Sequence, residues 1–110
     1  MSKMTRGLAV VALAAMTLPM VATAAPGRFT GAFKPAGPYV SGGNNYYFRV
    51  QGLPDSAGCL QNWAFVNEAD SGAKGKIATM LMAYAQGRNV SLYVEEDGAG
   101  YCRIVELVVQ

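Results

Sequence analysis

Most of the chain after residue 43 alternates between apolar and polar positions over short stretches, which is typical of β-strands with one buried side. Residues 46–51 predict one such strand, whose apolar side carries Tyr46, Phe48 and Val50. Residues 60–67 predict a second strand, in which Trp63 and Phe65 share a side. The glycines and the proline between the two strands predict a loop.

One segment follows the 3.6-residue period of a helix instead. Its apolar stripe at i, i+3, i+4 and i+7 consists of Ile77, Met80, Leu81 and Tyr84. The opposite face then carries Lys74, Lys76, Thr79, Ala83 and Gln86. Asp70 or Ser71 is expected to cap the first turn, and Gly87 to supply the left-handed residue that ends the helix.

A hairpin is predicted after the helix. Its first strand alternates with Val90, Leu92 and Val94 on one side. Asp97–Gly98 is a two-residue turn signal, and residues 101–110 form the returning strand. Within that strand Ile104–Val109 is apolar on both sides, which predicts either a central strand or an uncovered edge strand that pairs with another chain.

The segment 25–43 is rich in glycine and proline, and it predicts an irregular N-terminal arm or a frayed first strand at residues 28–33. Residues 44–110 are expected to form the folded domain.

The N-terminus has the pattern of an export signal. Lys3 and Arg6 precede an apolar run from residue 7 to 21, and Ala22-Thr23-Ala24 is a small-x-small cleavage motif. We expect residues 1–24 to be removed by a cut between Ala24 and Ala25. Nine basic residues and seven acidic residues give the whole chain a net charge of +2, so loss of Lys3 and Arg6 leaves a neutral domain.

A neutral domain gives no electrostatic reason to expect nucleic acid as a partner. No second apolar run reaches the length of a membrane span, so no span is expected once the signal is removed. Cys59 and Cys102 are the only cysteines. In an exported protein they predict one structural disulfide.

The residue types present mainly exclude kinds of catalysis and metal site. The chain contains no histidine, which excludes Ser–His–acid and Cys–His catalysis and the common zinc sites. Glu95-Glu96-Asp97 is interpreted as a solvated hairpin tip, because it lacks the spaced donors of a calcium loop. We therefore expect no catalytic residue, metal site or cofactor. Tyr47 and Tyr93, on the outward sides of their strands, are candidate binding residues, since tyrosine offers a flat apolar ring with a polar tip.

The segment from Cys59 to Gln110 resembles small exported OB-fold proteins related to the binding (B) subunits of bacterial toxins such as subtilase cytotoxin. The similarity lies in a cysteine before Trp63-Ala64-Phe65, the helix from Lys76 to Ala85, the glycine and base at Gly87-Arg88, and a cysteine opening the last strand. It implies a mainly β, OB-like barrel with one helix between strands and one disulfide. No binding residue of that family carries over, because its sugar-binding residues lie where the Gly/Pro-rich arm departs from them.

Together these features predict a non-catalytic periplasmic or secreted binding subunit that recognises a glycan or a protein and forms a homo-oligomer. The alternative is a monomeric periplasmic inhibitor or immunity-like protein that blocks an enzyme.

Overall fold

The structure is a computed structural model that describes residues 27–110. It is mainly β, with one α-helix and one disulfide, as the sequence predicts. In chain order the elements are β1 (Arg28–Phe33), β2 (Ala36–Val40), β3 (Phe48–Gln51), β4 (Trp63–Val66), α1 (Ala73–Ala85), β5 (Val90–Glu96) and β6 (Cys102–Val109). A single turn of 3₁₀-helix, Asp55–Ala57, and a second turn at Leu60–Asn62, in which Gln61 is not helical, lie between β3 and β4.

The six strands form one sheet in the order β1-β5-β6-β4-β3-β2. Neighbouring strands are antiparallel except β4 and β6, which are parallel. A parallel pair needs a long connection, and here that connection contains α1 and β5.

The Gly/Pro-rich segment contributes two strands of this sheet. It is therefore not an irregular arm, and the alternative, a first strand at residues 28–33, is found as β1. β1 and β2 occupy opposite ends of the strand order although only Lys34 and Pro35 separate them. Gly52 allows the connection to pass close to β3. A Cβ at Gly52 would lie 2.7 Å from the Lys34 carbonyl oxygen, and the φ of +99° also favours glycine. Among the described residues no ladder joins β1 to β2, so the paired sheet is open.

The core lies on one side of the sheet and follows the predicted alternation. Val90, Leu92 and Val94 of β5 are fully buried. They pack with buried side chains from the other strands, among them Phe48, Val50, Val66 and Ile104. β6 lies between β5 and β4, so the central-strand interpretation of its apolar sequence is correct.

The helix occupies the predicted segment. Its C-terminal end agrees with the prediction, whereas its N-terminal cap does not. The residue before the first turn is Gly72, with φ +71°, and no side chain caps the helix. Asp70 instead accepts a hydrogen bond from the Asn67 amide at 2.9 Å, so the cap prediction at Asp70 or Ser71 is wrong. The C-terminus is as predicted. Gly87 has φ +65°, and its amide donates to the Tyr84 carbonyl oxygen at 3.1 Å.

The buried face of α1 is rotated from the predicted stripe. Ala73, Met80 and Ala83 are buried, whereas Leu81 is 40% and Tyr84 47% exposed. Of the predicted stripe, Met80 is fully buried and Ile77 packs partly buried against the core, while two small alanines complete the buried face. The period of the apolar residues predicts the position of the helix, but it does not predict that the face with Ala73 and Ala83 is buried.

The hairpin of β5 and β6 is present, but its connection is longer than the two-residue turn predicted. Glu96 is paired with Cys102, which leaves residues 97–101 as the loop. The Asp97 carboxylate closes this loop by accepting hydrogen bonds from the Ala99 amide at 2.8 Å and the Tyr101 amide at 3.1 Å.

The predicted disulfide is present between Cys59 and Cys102, with the two Cα atoms 5.4 Å apart. It joins the loop before β4 to the first residue of β6. Arg28 lies against the same junction, where its guanidinium donates to the Gly58 carbonyl at 3.0 Å and pairs with Glu96 at 2.9 Å. Over the described range, no helix is both long enough and apolar enough to cross a membrane.

Replacing Met80 and Leu81 separately tests the buried face of the helix. Met80→Ala should lower the free energy of unfolding by about 2–5 kcal/mol, because it leaves a cavity under α1. Leu81→Ala, at an exposed position, should change it by less than about 1 kcal/mol. Urea denaturation followed by circular dichroism measures both. Equal losses at the two positions would contradict this packing.

Removing the disulfide should destabilise the domain by about 2–4 kcal/mol, since it closes a loop of 43 residues in the unfolded chain. Cys59→Ser/Cys102→Ser double replacement measures this without leaving one free thiol. Thiol labelling of denatured, unreduced protein taken from its native compartment should find no free cysteine. Two labelled thiols would contradict the bond.

Candidate functional site

One side of the sheet, opposite the core, carries an aligned row of large side chains. Cross-strand partners connect Tyr39 of β2 to Arg49 of β3, Arg49 to Phe65 of β4, and Phe65 to Arg103 of β6. Residues that are paired directly across strands project from the same side of a sheet. The row therefore crosses four neighbouring strands.

The Arg49 guanidinium is close to two aromatic rings, that of Tyr39 in this row and that of Trp63 in β4. The guanidinium carbon is 4.1 Å from the centre of the Tyr39 ring and 5.0 Å from that of Trp63. Both distances are within the range of cation–π attraction. Trp63 is buried, whereas Tyr39 is 51% exposed and forms the outer wall.

Beside Arg49 lies an aromatic cluster of four side chains, which are Tyr46, Trp63, Phe65 and Tyr101. The Tyr46 ring packs edge-on against Phe65, with the ring centres 4.6 Å apart. Trp63 and Tyr101 are stacked at 4.3 Å. Such offset and edge-on pairs stabilise beyond the burial of their surface. The cluster joins the segment before β3 and the loop 97–101 to strand β4.

A hydrogen bond from the Tyr46 hydroxyl to the Asp97 carboxylate connects these two segments directly. That hydrogen bond is the first cause of a raised pKa for Tyr46, with loss of solvent contact adding to it. For Asp97, partial burial alone would raise the pKa. The hydrogen bonds from Tyr46 and from the loop amides outweigh it and lower the pKa.

The backbone around the cluster is strained. Among residues 27–110 the non-glycine residues with positive φ are Tyr46 (54°), Gln61 (57°) and Asn62 (58°). All of them border the cluster. Side chains hold them in place, since the Tyr46 amide donates to Asn67 Oδ1 at 2.7 Å and Asn62 donates to Asp55 at 2.8 Å. Residues kept in such conformations cluster at functional sites.

Two clefts flank the aromatic cluster. The first, here the Arg49 cleft, has a volume of about 290 Å³ and is lined by Gly37, Pro38, Tyr39, Arg49, Gln51, Gln61 and Trp63. The second, here the Asp97 cleft, has a volume of about 370 Å³ and is lined by Asn45, Tyr46, Phe65, Asn67, Glu96, Asp97 and Arg103. In the Asp97 cleft the charges are largely paired within the chain. Arg103 lies 3.3 Å from Glu95 and 3.8 Å from Asp70, and Glu96 is held by Arg28.

The structure places the two tyrosines proposed from the sequence away from this arrangement. Tyr47 packs against the hydrophobic core. Tyr93 packs edge-on against Phe29, with the ring centres 4.9 Å apart, and borders a small cleft of about 90 Å³. Ala24 and Ala25, the proposed cleavage site, lie outside the described residues.

The alternation of apolar residues predicts that Trp63 and Phe65 share a strand side, but it carries no information that connects them with Arg49 or Tyr39. The missing information was the pairing of β2, β3 and β4, which is a long-range property. The positive φ of Gln61 has no sequence signal, whereas Asn62 is of a residue type that adopts positive φ more often than most.

Residues 27–110 contain no cluster of three or more side chains able to hold a metal ion. In comparisons with protein-family models, with curated proteins and with solved structures, the chain shows no significant match.

Tyr46→Phe tests the bond that connects the two segments. Near neutral pH it should lower the free energy of unfolding by about 1–2 kcal/mol, as for the loss of a hydrogen bond to a charged group. Tyr101→Phe is the control, because its hydroxyl makes no hydrogen bond within residues 27–110.

The stability lost in Tyr46→Phe should depend on pH at both the acidic and the alkaline end of the range. Because the pKa of Asp97 is lowered in the folded protein, the ionised carboxylate stabilises the fold above its ordinary pKa of about 3.9. This stabilisation is lost as pH falls through the folded-state pKa. A raised pKa for Tyr46 contributes stability below about 10 that is lost as pH rises. The difference between wild type and Tyr46→Phe should therefore shrink at both extremes. A difference that is constant from pH 3 to pH 11 would contradict the assignment.

Proposed function

We propose that this protein is a non-catalytic, exported binding module that recognises a glycan or a protein through the side of the sheet formed by β2, β3 and β4. One observation carries the proposal: the Arg49 guanidinium lies within cation–π distance of the rings of Tyr39 and Trp63, and all three residues line a cleft of about 290 Å³. Concave sites with aromatic walls and a few polar groups are typical of ligand binding. Arg49 is only partly buried, so its guanidinium can also contact a ligand.

The connectivity supports an OB-type barrel. If β1 and β2 are taken as one bent first strand, the order becomes 1-4-5-3-2-1, with the parallel pair at β4 and β6 and the helix before β5. OB-folds bind oligosaccharides and oligonucleotides on the face of their second and third strands, with help from two loops. Here those strands are β3 and β4. The two loops correspond to residues 41–47, which carry Tyr46, and 97–101, which carry Tyr101.

Export is part of the same proposal. The N-terminal pattern supports it, and the Cys59–Cys102 disulfide is compatible with a periplasmic or extracellular location, where such bonds persist.

A relation to toxin B subunits is also part of the proposal and does not follow from the fold. The same holds for self-association. The uncovered edge at Ile104–Val109 that favoured strand pairing between subunits is not found, because β6 lies between β5 and β4. A homo-oligomeric binding subunit and a monomeric inhibitor of an enzyme differ in their mass in solution, which light scattering measures.

Binding assays on the mature protein with Tyr39 replaced test the proposed face. On glycan and peptide arrays, Tyr39→Ala should weaken binding of whatever ligand the wild type selects by about 3- to 10-fold, as expected for loss of one aromatic contact. Tyr84→Ala is the matched control, since this tyrosine has nearly the same exposure, 47% against 51%, and lies on α1. Equal effects of the two replacements would place the binding surface elsewhere.

A further inference from the structure

A second row of side chains crosses the other end of the sheet, on β1, β5 and β6. Phe29 is paired directly with Tyr93, and Tyr93 with Glu106. Residues paired in this way project from the same side of a sheet. All of them line the cleft of about 90 Å³ beside Tyr93, here the Tyr93 cleft, together with Ser91, Leu107 and Val108. None of its residues lines either of the two larger clefts.

Two aromatic rings at an angle form one corner of the Tyr93 cleft. The planes of the Phe29 and Tyr93 rings differ by 64°, and the ring centres are 4.9 Å apart. Phe29 is 73% exposed, so its ring remains available for contact. The Tyr93 ring is held from another direction, because the backbone at Gly27 passes so close that a Cβ there would overlap it. Aromatic rings that line one small cleft are the feature that recognises quaternary ammonium ions, through cation–π attraction.

Glu106 gives the same cleft a negative charge. It is exposed on β6, and within residues 27–110 its carboxylate has neither an ion pair nor a side-chain hydrogen bond. Glu95 and Glu96, by contrast, are both paired with arginines. No basic residue of the described chain lines the cleft. A cation bound against the two rings therefore meets a carboxylate that has no competing partner.

The walls of the cleft determine which kind of cation it suits. A primary ammonium carries three N–H donors and needs an acceptor for each. Beyond Glu106, the lining side chains offer only the hydroxyls of Ser91 and Tyr93, and the others are apolar. A quaternary ammonium has no N–H, so its methyl groups can pack against apolar walls at no such cost. The volume of about 90 Å³ is also smaller than the roughly 150 Å³ of a cavity that holds benzene, which favours a compact head group over any ring.

We infer that the Tyr93 cleft binds the trimethylammonium head of a choline-type cation. Phe29 and Tyr93 contact its methyl groups, and Glu106 supplies the opposite charge. This site goes beyond the proposed binding face and does not depend on it. Free choline suits the cleft better than a phosphocholine head group, because no base is present to pair with the phosphate and Glu106 repels it.

The first test compares choline with 3,3-dimethylbutanol, the uncharged alcohol of the same shape. In an NMR titration of mature protein with ¹³C-labelled aromatic rings, choline should shift the ring signals of Phe29 and Tyr93. It should bind at least about fivefold more tightly than the alcohol at equal ionic strength, as expected for cation–π contact with two rings. Equal affinity of the two molecules would overturn the inference, and so would a choline titration that leaves both rings unshifted. This comparison needs no variant.

Replacements at two exposed positions separate the ring from the charge. Phe29→Leu keeps an apolar side chain but removes the π face, and it should weaken choline binding about threefold. Glu106→Gln keeps the shape but removes the charge, and it should weaken binding about twofold to fivefold, as for an exposed ion pair. Glu68→Gln is the matched control, since it removes an exposed acid outside the cleft and should change nothing. Wild-type affinity in Phe29→Leu or in Glu106→Gln would overturn the assignment.

Phosphocholine and vesicles of phosphatidylcholine distinguish the possible sources of the head group. Phosphocholine should bind more weakly than choline in the same titration, and the protein should not sediment with the vesicles. Tighter binding of phosphocholine, or sedimentation with the vesicles that Phe29→Leu abolishes, would overturn the assignment to a free cation.

Discussion

The covalent bond between Cys59 and Cys102 is the constraint on which both the sheet and the proposed site depend. Cys102 is paired with Ala64 at the start of the parallel contact between β4 and β6. Cys59 precedes the strained residues Gln61 and Asn62, and Cys102 follows Tyr101. The disulfide therefore fixes, next to one another, the two segments that supply Trp63 and Tyr101 to the aromatic cluster. A short domain buries a modest fraction of its surface, so a crosslink at this place contributes to the site as well as to stability.

Hydrogen bonds from side chains hold the strained backbone beside the aromatic cluster in place. Tyr46 adopts positive φ, and its amide and hydroxyl are both held, by Asn67 and Asp97. Backbone conformations of this kind cost on the order of 1–3 kcal/mol each and persist only when surrounding contacts fix them. Rigid loops at the ends of β3 and β4 favour binding, because a ligand then does not have to order them.

How much the sequence predicted depends on the range of the interaction involved. Local signals were sufficient for the helix, for its end at Gly87, for the β5–β6 hairpin and for the pairing of the two cysteines. They were misleading where long-range packing decides. Met80 and not Leu81 is buried, on the helix face that also carries the alanines at positions 73 and 83. The Gly/Pro-rich segment forms strands, because β5 and β3 are available to pair with it. The Arg49 cleft was missed for the same reason, since its parts come from three strands whose register no local pattern specifies.

The position of β1 also has a consequence for the order in which the chain folds. β1 is the first strand of the described chain, yet its pairing partner is β5, with Arg28 opposite Val94. β4 likewise pairs with β6, which follows it in the chain only after α1 and β5. Contacts this distant in sequence form slowly, because long loops must close before any pairing compensates for the lost entropy. The hairpin of β5 and β6 is local, so it is the expected nucleus. Because β1 and β4 both pair with strands of this hairpin, the six-stranded sheet cannot be completed before the hairpin forms.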